Sequence, residues 1–168
     1  METILVSLLA ATMLIVCTLG MIGTSLTAVN SLSDSYRSIE TQVSSIQSTA
    51  IECSYTTGYG DRVVLTVANT GQSSLREFEE WIVLVQRSFG SVFLLPYTPN
   101  GTPAENEWCV DGIELSDGRP EAFDPGILDP GEYLVLHIGL DPPMEEGETT
   151  RITVATPNGV TAQCLILK

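Results

Sequence analysis

Basic residues are scarce in this sequence: 7 Lys and Arg stand against 21 Asp and Glu, a formal net charge of −14. Proteins that grip phosphate backbones gather Lys and Arg on one face, so nucleic acid is excluded as a partner, and no polybasic segment is offered to anionic lipid headgroups. Histidine is scarcer still. His137 stands alone inside an alternating strand pattern, and no nucleophile and base can be assembled around it. No CxxC pair occurs and no His neighbours a cysteine, which removes the usual zinc frameworks. No glycine-rich loop follows a strand and opens a helix, so a phosphate-binding loop is missing too. Carboxylate pairs such as Asp124 with Asp129, or Glu145 with Glu146, fall in Pro/Gly loops without EF-hand spacing and read as solvated loop charge. These absences point away from an enzyme, a metal protein and any bound cofactor.

Charge of either sign is missing from Thr3 to Ser33. The run ILVSLLAATMLIVCTLGMIGTSLTAV exceeds the ~20 residues that cross a bilayer core, which predicts a membrane stage. It lacks the basic n-region and small-residue cleavage site of a secretory signal, so any leader is expected to have been removed before Met1. A permanent anchor usually carries Lys or Arg near its cytoplasmic end, whereas the basic residue nearest this run is Arg37, on the C-terminal side.

Beyond the apolar run, Val29, Leu32, Tyr36, Ile39, Val43 and Ile46 recur at spacings of three and four with polar residues between them. Extended backwards, Leu8, Ile15, Ile22 and Val29 keep the seven-residue step. The pattern predicts one helix from about Thr3 to Thr49, ~70 Å long at 1.5 Å per residue. A bilayer accounts for less than half of that length, so the remaining stripe calls for partner helices, supplied most economically by other copies of the chain.

After Ala50 the period changes to two. Val63, Leu65 and Val67 alternate with Val64, Thr66 and Ala68 before an Asn69-Thr70-Gly71 turn, and six further runs begin near Glu80, Ser91, Trp108, Glu132, Arg151 and Val160. Asp129-Pro130-Gly131-Glu132 turns the chain into a strand, and Pro157-Asn158-Gly159 predicts a terminal hairpin. Seven short strands predict an antiparallel, immunoglobulin-like β-sandwich over residues 51–168, behind an N-terminal helix over 1–50: an α+β fold. The segment Tyr55 to Asp61, with Gly58 and Gly60, reads as a link or hairpin that lets the sandwich swing. Trp81 and Trp108 fit either a core or an interface.

Cys17 falls in the apolar run, while Cys53, Cys109 and Cys164 follow it. In an exported chain two of the three can pair, Cys53 with Cys164 or Cys109 with Cys164, and the sequence leaves both open. Asn100-Gly101-Thr102 is an N-glycosylation acceptor pattern centred on Asn100.

An uncharged helix continuing as an amphipathic rod into a β-sandwich resembles the archaeal-flagellin and type IV pilin-like superfamily. The resemblance rests on the apolar stretch Ile4 to Val29, on Val63-Val64-Leu65-Thr66-Val67-Ala68-Asn69-Thr70-Gly71, and on Leu128-Asp129-Pro130-Gly131-Glu132. It implies a precursor cut by a prepilin-type peptidase, membrane insertion of the mature helix, and extraction into an extracellular helical filament for motility or adhesion. Bacterial pilins of this type carry a glutamate at the fifth mature position; Leu5 here favours the archaeal branch. Two other roles stay open: a minor membrane-held component of the filament machinery whose sandwich binds the cell envelope layer, and a single-pass binding ectodomain.

Overall fold

The computed structural model describes residues 2–88, 90–99 and 101–168, with side chains described outside 2–6, 19–28, 55 and 59. Two units are distinguished, Met1–Val43 and Ser44–Lys168.

The first unit is helical. Helix α1 covers Glu2–Ser48, its last turn belonging to the second unit. Serine and threonine are weak helix formers because their hydroxyls compete for backbone groups. Here the hydroxyls bond back within the helix instead: Thr18 donates to the Leu14 and Ile15 carbonyls, Ser35 to Ser31, and Thr41 to Arg37.

Among its described residues the second unit has eight strands, one more than the seven expected, the addition being β1: β1 (Ile51–Tyr59), β2 (Arg62–Asn69), β3 (Ile82–Arg87), β4 (Val92–Leu95), β5 (Trp108–Glu114), β6 (Tyr133–Gly139), β7 (Thr149–Ala155) and β8 (Thr161–Leu167). They form two four-stranded sheets, ordered β1-β2-β6-β5 and β4-β3-β7-β8, and every pairing is antiparallel. Twofold alternation decides which side chains fill the space between the sheets. Val63, Leu65 and Val67 of β2, with Leu134, Leu136 and Ile138 of β6, meet Val83 and Val85 of β3 and Ile152 and Val154 of β7. Trp108 is fully buried and edge-on to Tyr97, and Trp81 packs edge-on to Phe78, so both indoles belong to the core.

Two local expectations need correction. Of the two readings of Tyr55–Asp61 the hairpin holds and the link does not: Ile51–Tyr59 is the edge strand β1, which turns at Gly60 and Asp61 into β2 and pairs with it from Ile51↔Asn69 to Tyr59↔Arg62, and the chain leaves the helix through Thr49 and Ala50. The run from Glu80 starts later than expected, because Phe78–Glu80 is a 3-10 turn and β3 begins at Ile82. The reversal at Asp129-Pro130-Gly131-Glu132 is closed by the Glu132 amide on the Asp129 carbonyl, with Gly131 at φ 88°. In the last hairpin Gly159 sits at φ 87°, a conformation cheap only without a Cβ.

Candidate functional site: the helix exit and the sandwich that holds it

A helix ends with carbonyls that its own backbone cannot satisfy. Here the sandwich supplies the donors. The Ser48 carbonyl accepts from the Gln72 and Ser73 amides at 2.7 and 3.2 Å, and the Ala50 carbonyl accepts from Thr70 and Gly71 at 2.9 and 3.0 Å. The Asn158 side-chain amide, at the tip of the β7–β8 hairpin, reaches the Thr49 hydroxyl at 2.8 Å and the Ser45 hydroxyl at 3.2 Å. Close approach requires glycine at 71. A Cβ there would lie 2.5 Å from the Ala50 nitrogen and 2.6 Å from the Ser48 oxygen.

Asn69 organises the other side of this exit. It is fully buried, its Oδ1 accepts from the Gly71 amide at 3.0 Å, and its Nδ2 donates to the Ser73 and Leu128 carbonyls at 2.9 and 3.0 Å. Its own backbone bonds to Gly131 and Glu132. The two segments that stood out in the sequence, ending at Gly71 and beginning at Leu128, are therefore one joint in space.

At the opposite end of the sandwich a buried ion pair ties β3 to the loop before β7. Arg87 donates through Nε and Nη2 to the two Glu148 oxygens, each at 2.7 Å, and caps the Pro142 and Pro143 carbonyls. The guanidinium beside it holds the Glu148 carboxyl down to about 2, and the pairing raises Arg87 in return. Lys168 donates through Nζ to the Met144 carbonyl in the same corner.

Cys53 of β1 and Cys164 of β8 are disulfide-bonded, joining the edges of the two sheets across 111 residues. Cys109 is buried and unbonded, and burial pushes its thiol up. His137 lies 3.8 Å from Asp111 on the outer face of its sheet. Among the described residues, no group of three or more His, Cys, Asp or Glu is placed to hold a metal ion.

The heptad residues are uncovered where their side chains are described. Leu8, Ile15 and Val29 are 68, 57 and 62 % exposed, and Leu32, Tyr36, Ile39, Val43 and Ile46 are exposed as well. The Ile22 side chain and Asn100 lie outside the described residues. Among the described residues, no helix is long and apolar enough to cross a membrane, and the apolar run of the sequence includes residues 19–28, whose side chains are not among them.

The last turn of α1 thus belongs to the disulfide-closed β-sandwich unit, while the described heptad residues of the first unit are exposed. The chain belongs to the archaeal-type flagellin family, whose model matches residues 3–164. It is thus a structural component of the archaellum, in the filament or among the minor parts. Comparison with curated proteins gives no match. Among solved structures, the archaeal flagellum of Methanospirillum hungatei strain JF1 is similar at a TM-score of 0.61 and 11% identity, covering 99% of this chain and 91% of that one. The archaellum periplasmic stator protein FlaG from Sulfolobus acidocaldarius is similar at 0.55 and 21%, covering 70% and 99%. Archaeal flagellin FlaB1 from Methanocaldococcus jannaschii is similar at 0.53 and 12%, covering 70% and 88%. At these identities the likeness is one of fold.

Proposed function

We propose that this chain is a filament subunit that polymerises through its N-terminal helix, with the sandwich carried outside. The observation that carries the reading is the exposure of the described heptad residues, Leu8, Ile15, Val29, Leu32, Tyr36, Ile39, Val43 and Ile46. Burying apolar surface yields ~25 cal/mol per Å², so a stripe left in water is a standing drive for helices to associate side by side. The back-bonded hydroxyls of Thr18, Ser35 and Thr41 lower the cost of burying polar groups in such a core. Before assembly, the uncharged run Ile4 to Val29 holds the subunit in the cytoplasmic membrane, since it matches a bilayer in length and lacks charge. Extraction places the sandwich at the cell surface, where Asn100 would meet any glycosyltransferase.

The test is to shear filaments from cells and identify their main protein by mass spectrometry. This chain as the dominant component is the expected result. Low copy number in the membrane fraction would overturn the reading in favour of a minor component whose sandwich binds the cell envelope layer.

A further inference from the structure

Two surfaces of the sandwich are complementary, yet the topology keeps them apart within one molecule. The first is the loop between β5 and β6. Phe123 is 92 % exposed, the highest value for a large hydrophobic side chain among the described residues. It is nevertheless presented by ordered backbone: Glu121 Oε1 accepts from the Phe123 amide at 2.7 Å, the Glu121 amide bonds to Ile113, and the Leu128 amide bonds to Leu75. The Phe123 and Asp124 amides, both donating to Glu121 Oε1, hold the Glu121 carboxyl below its usual range, and Phe123 lies in sequence between the carboxylate residues Glu121 and Asp124. The loop leaves β5 beside Tyr133 and returns at Leu128, which places it at the helix-exit end of the β1-β2-β6-β5 sheet.

The second surface is the outer face of the other sheet, toward its far end. The cross-strand row Val92, Gln86, Arg151, Leu165 runs from β4 to β8. Val92, Leu94 and Leu165 are 59, 66 and 65 % exposed. On the β3-β7-β8 side of this sheet a shallow groove of about 220 Å³ is lined by Gln86, Arg87, Ser88, Thr149, Arg151 and Leu165. Arg87 is consumed by Glu148, which leaves Arg151, held loosely by Gln86 at 3.4 Å, as the cation this face offers.

We propose that the Phe123 loop of one copy docks into the Arg151–Leu165 groove of a second copy. An aromatic ring flanked by carboxylates meets a largely polar groove whose apolar side chain is Leu165 and whose free cation is Arg151, beside the exposed Val92 and Leu94 of the same sheet face, so the match is chiefly one of charge in a chain that is otherwise strongly acidic. Because the two surfaces lie on opposite sheets and at opposite ends, the contact is head-to-tail and repeats from copy to copy. It deepens the filament reading and rests on it, adding a contact between sandwiches to the one between helices.

The full chain with p-benzoylphenylalanine in place of Phe123, assembled and irradiated, tests this. A ladder of intermolecular adducts is expected, with the cross-linked peptide drawn from residues 82–95 or 149–167. Arg151→Glu should remove the ladder, and adding Asp124→Arg should restore it. Filaments that form yet give no adduct, or give one elsewhere, overturn the docking contact and leave the filament role standing. Absence of filaments from the unsubstituted chain overturns both.

Discussion

Asn158 and Thr49 lie 109 residues apart and are joined by a single 2.8 Å hydrogen bond from the Asn158 side-chain amide to the Thr49 hydroxyl. The terminal hairpin thus reaches back to hold the last turn of the helix that begins the chain. With Ser48 bonded to the 72–73 backbone, the helix exit is fixed from two sides.

Gly71→Ala is expected to destabilise the unit 44–168 by about 1–3 kcal/mol, the usual cost of forcing atoms into a packed site. The added methyl collides with backbone at Ala50 and Ser48, where no side chain can yield. Urea denaturation of that unit measures it, and unchanged stability would show that the joint opens without penalty.

Acid should weaken the fold through Glu148. Its folded pKa of about 2 lies below the ordinary carboxylate value, so its contribution is complete above pH ~5 and is lost as pH falls toward 2. Arg87→Met, which leaves the buried Glu148 carboxylate without its ion-pair partner and with the Glu145 amide at 3.0 Å as its remaining close donor, should cost about 3–5 kcal/mol at neutral pH and flatten the acid limb of the stability profile. Denaturation midpoints between pH 2 and 7 for both proteins check this.

Cys164→Ser opens a loop of 111 residues and should lower stability by about 2–5 kcal/mol. In the folded protein Cys109 should resist alkylation, since it is buried and its thiol is pushed up, and should react on unfolding. Peptide mapping after iodoacetamide treatment, with and without denaturant, separates the two states.

Val29→Asp places an uncompensated charge in the apolar stripe, where Val29 is 62 % exposed and available to a neighbouring helix. Filaments should be lost while the unit 44–168 keeps its unfolding midpoint. Normal filaments from this variant would remove the helix from the assembly mechanism.

Strands with strict alternation were legible from the sequence. In β2 and β6 the alternating residues Val63, Leu65 and Val67, and Leu134, Leu136 and Ile138, face the space between the sheets and are buried, while Ala68 and Val135 are covered on the other face. β1 was not legible, because Ile-Glu-Cys-Ser-Tyr-Thr-Thr-Gly-Tyr mixes polar residues onto both faces. It pairs on one side only, and a register shift between Cys53 and Tyr55 breaks its period. The helix exit was half legible: Asn69-Thr70-Gly71 announced a turn, but that this turn caps a helix depends on Ser48 approaching it, a relation between distant segments. Which cysteine meets Cys164 is set by the approach of β1 to β8 at the sheet edges, and no local pattern encodes that.

The Cys53–Cys164 bond also fixes how the molecule bears a pull. Tension entering before Cys53 and leaving after Cys164 passes through sulfur rather than along the intervening chain, whose 111-residue span would otherwise pay out about 370–400 Å of slack at 3.3–3.6 Å per residue. A strand-by-strand unravelling under drag is thereby closed off. Pulled from either side of that bond, the segment between Cys53 and Cys164 keeps its ends together whatever happens to its strands.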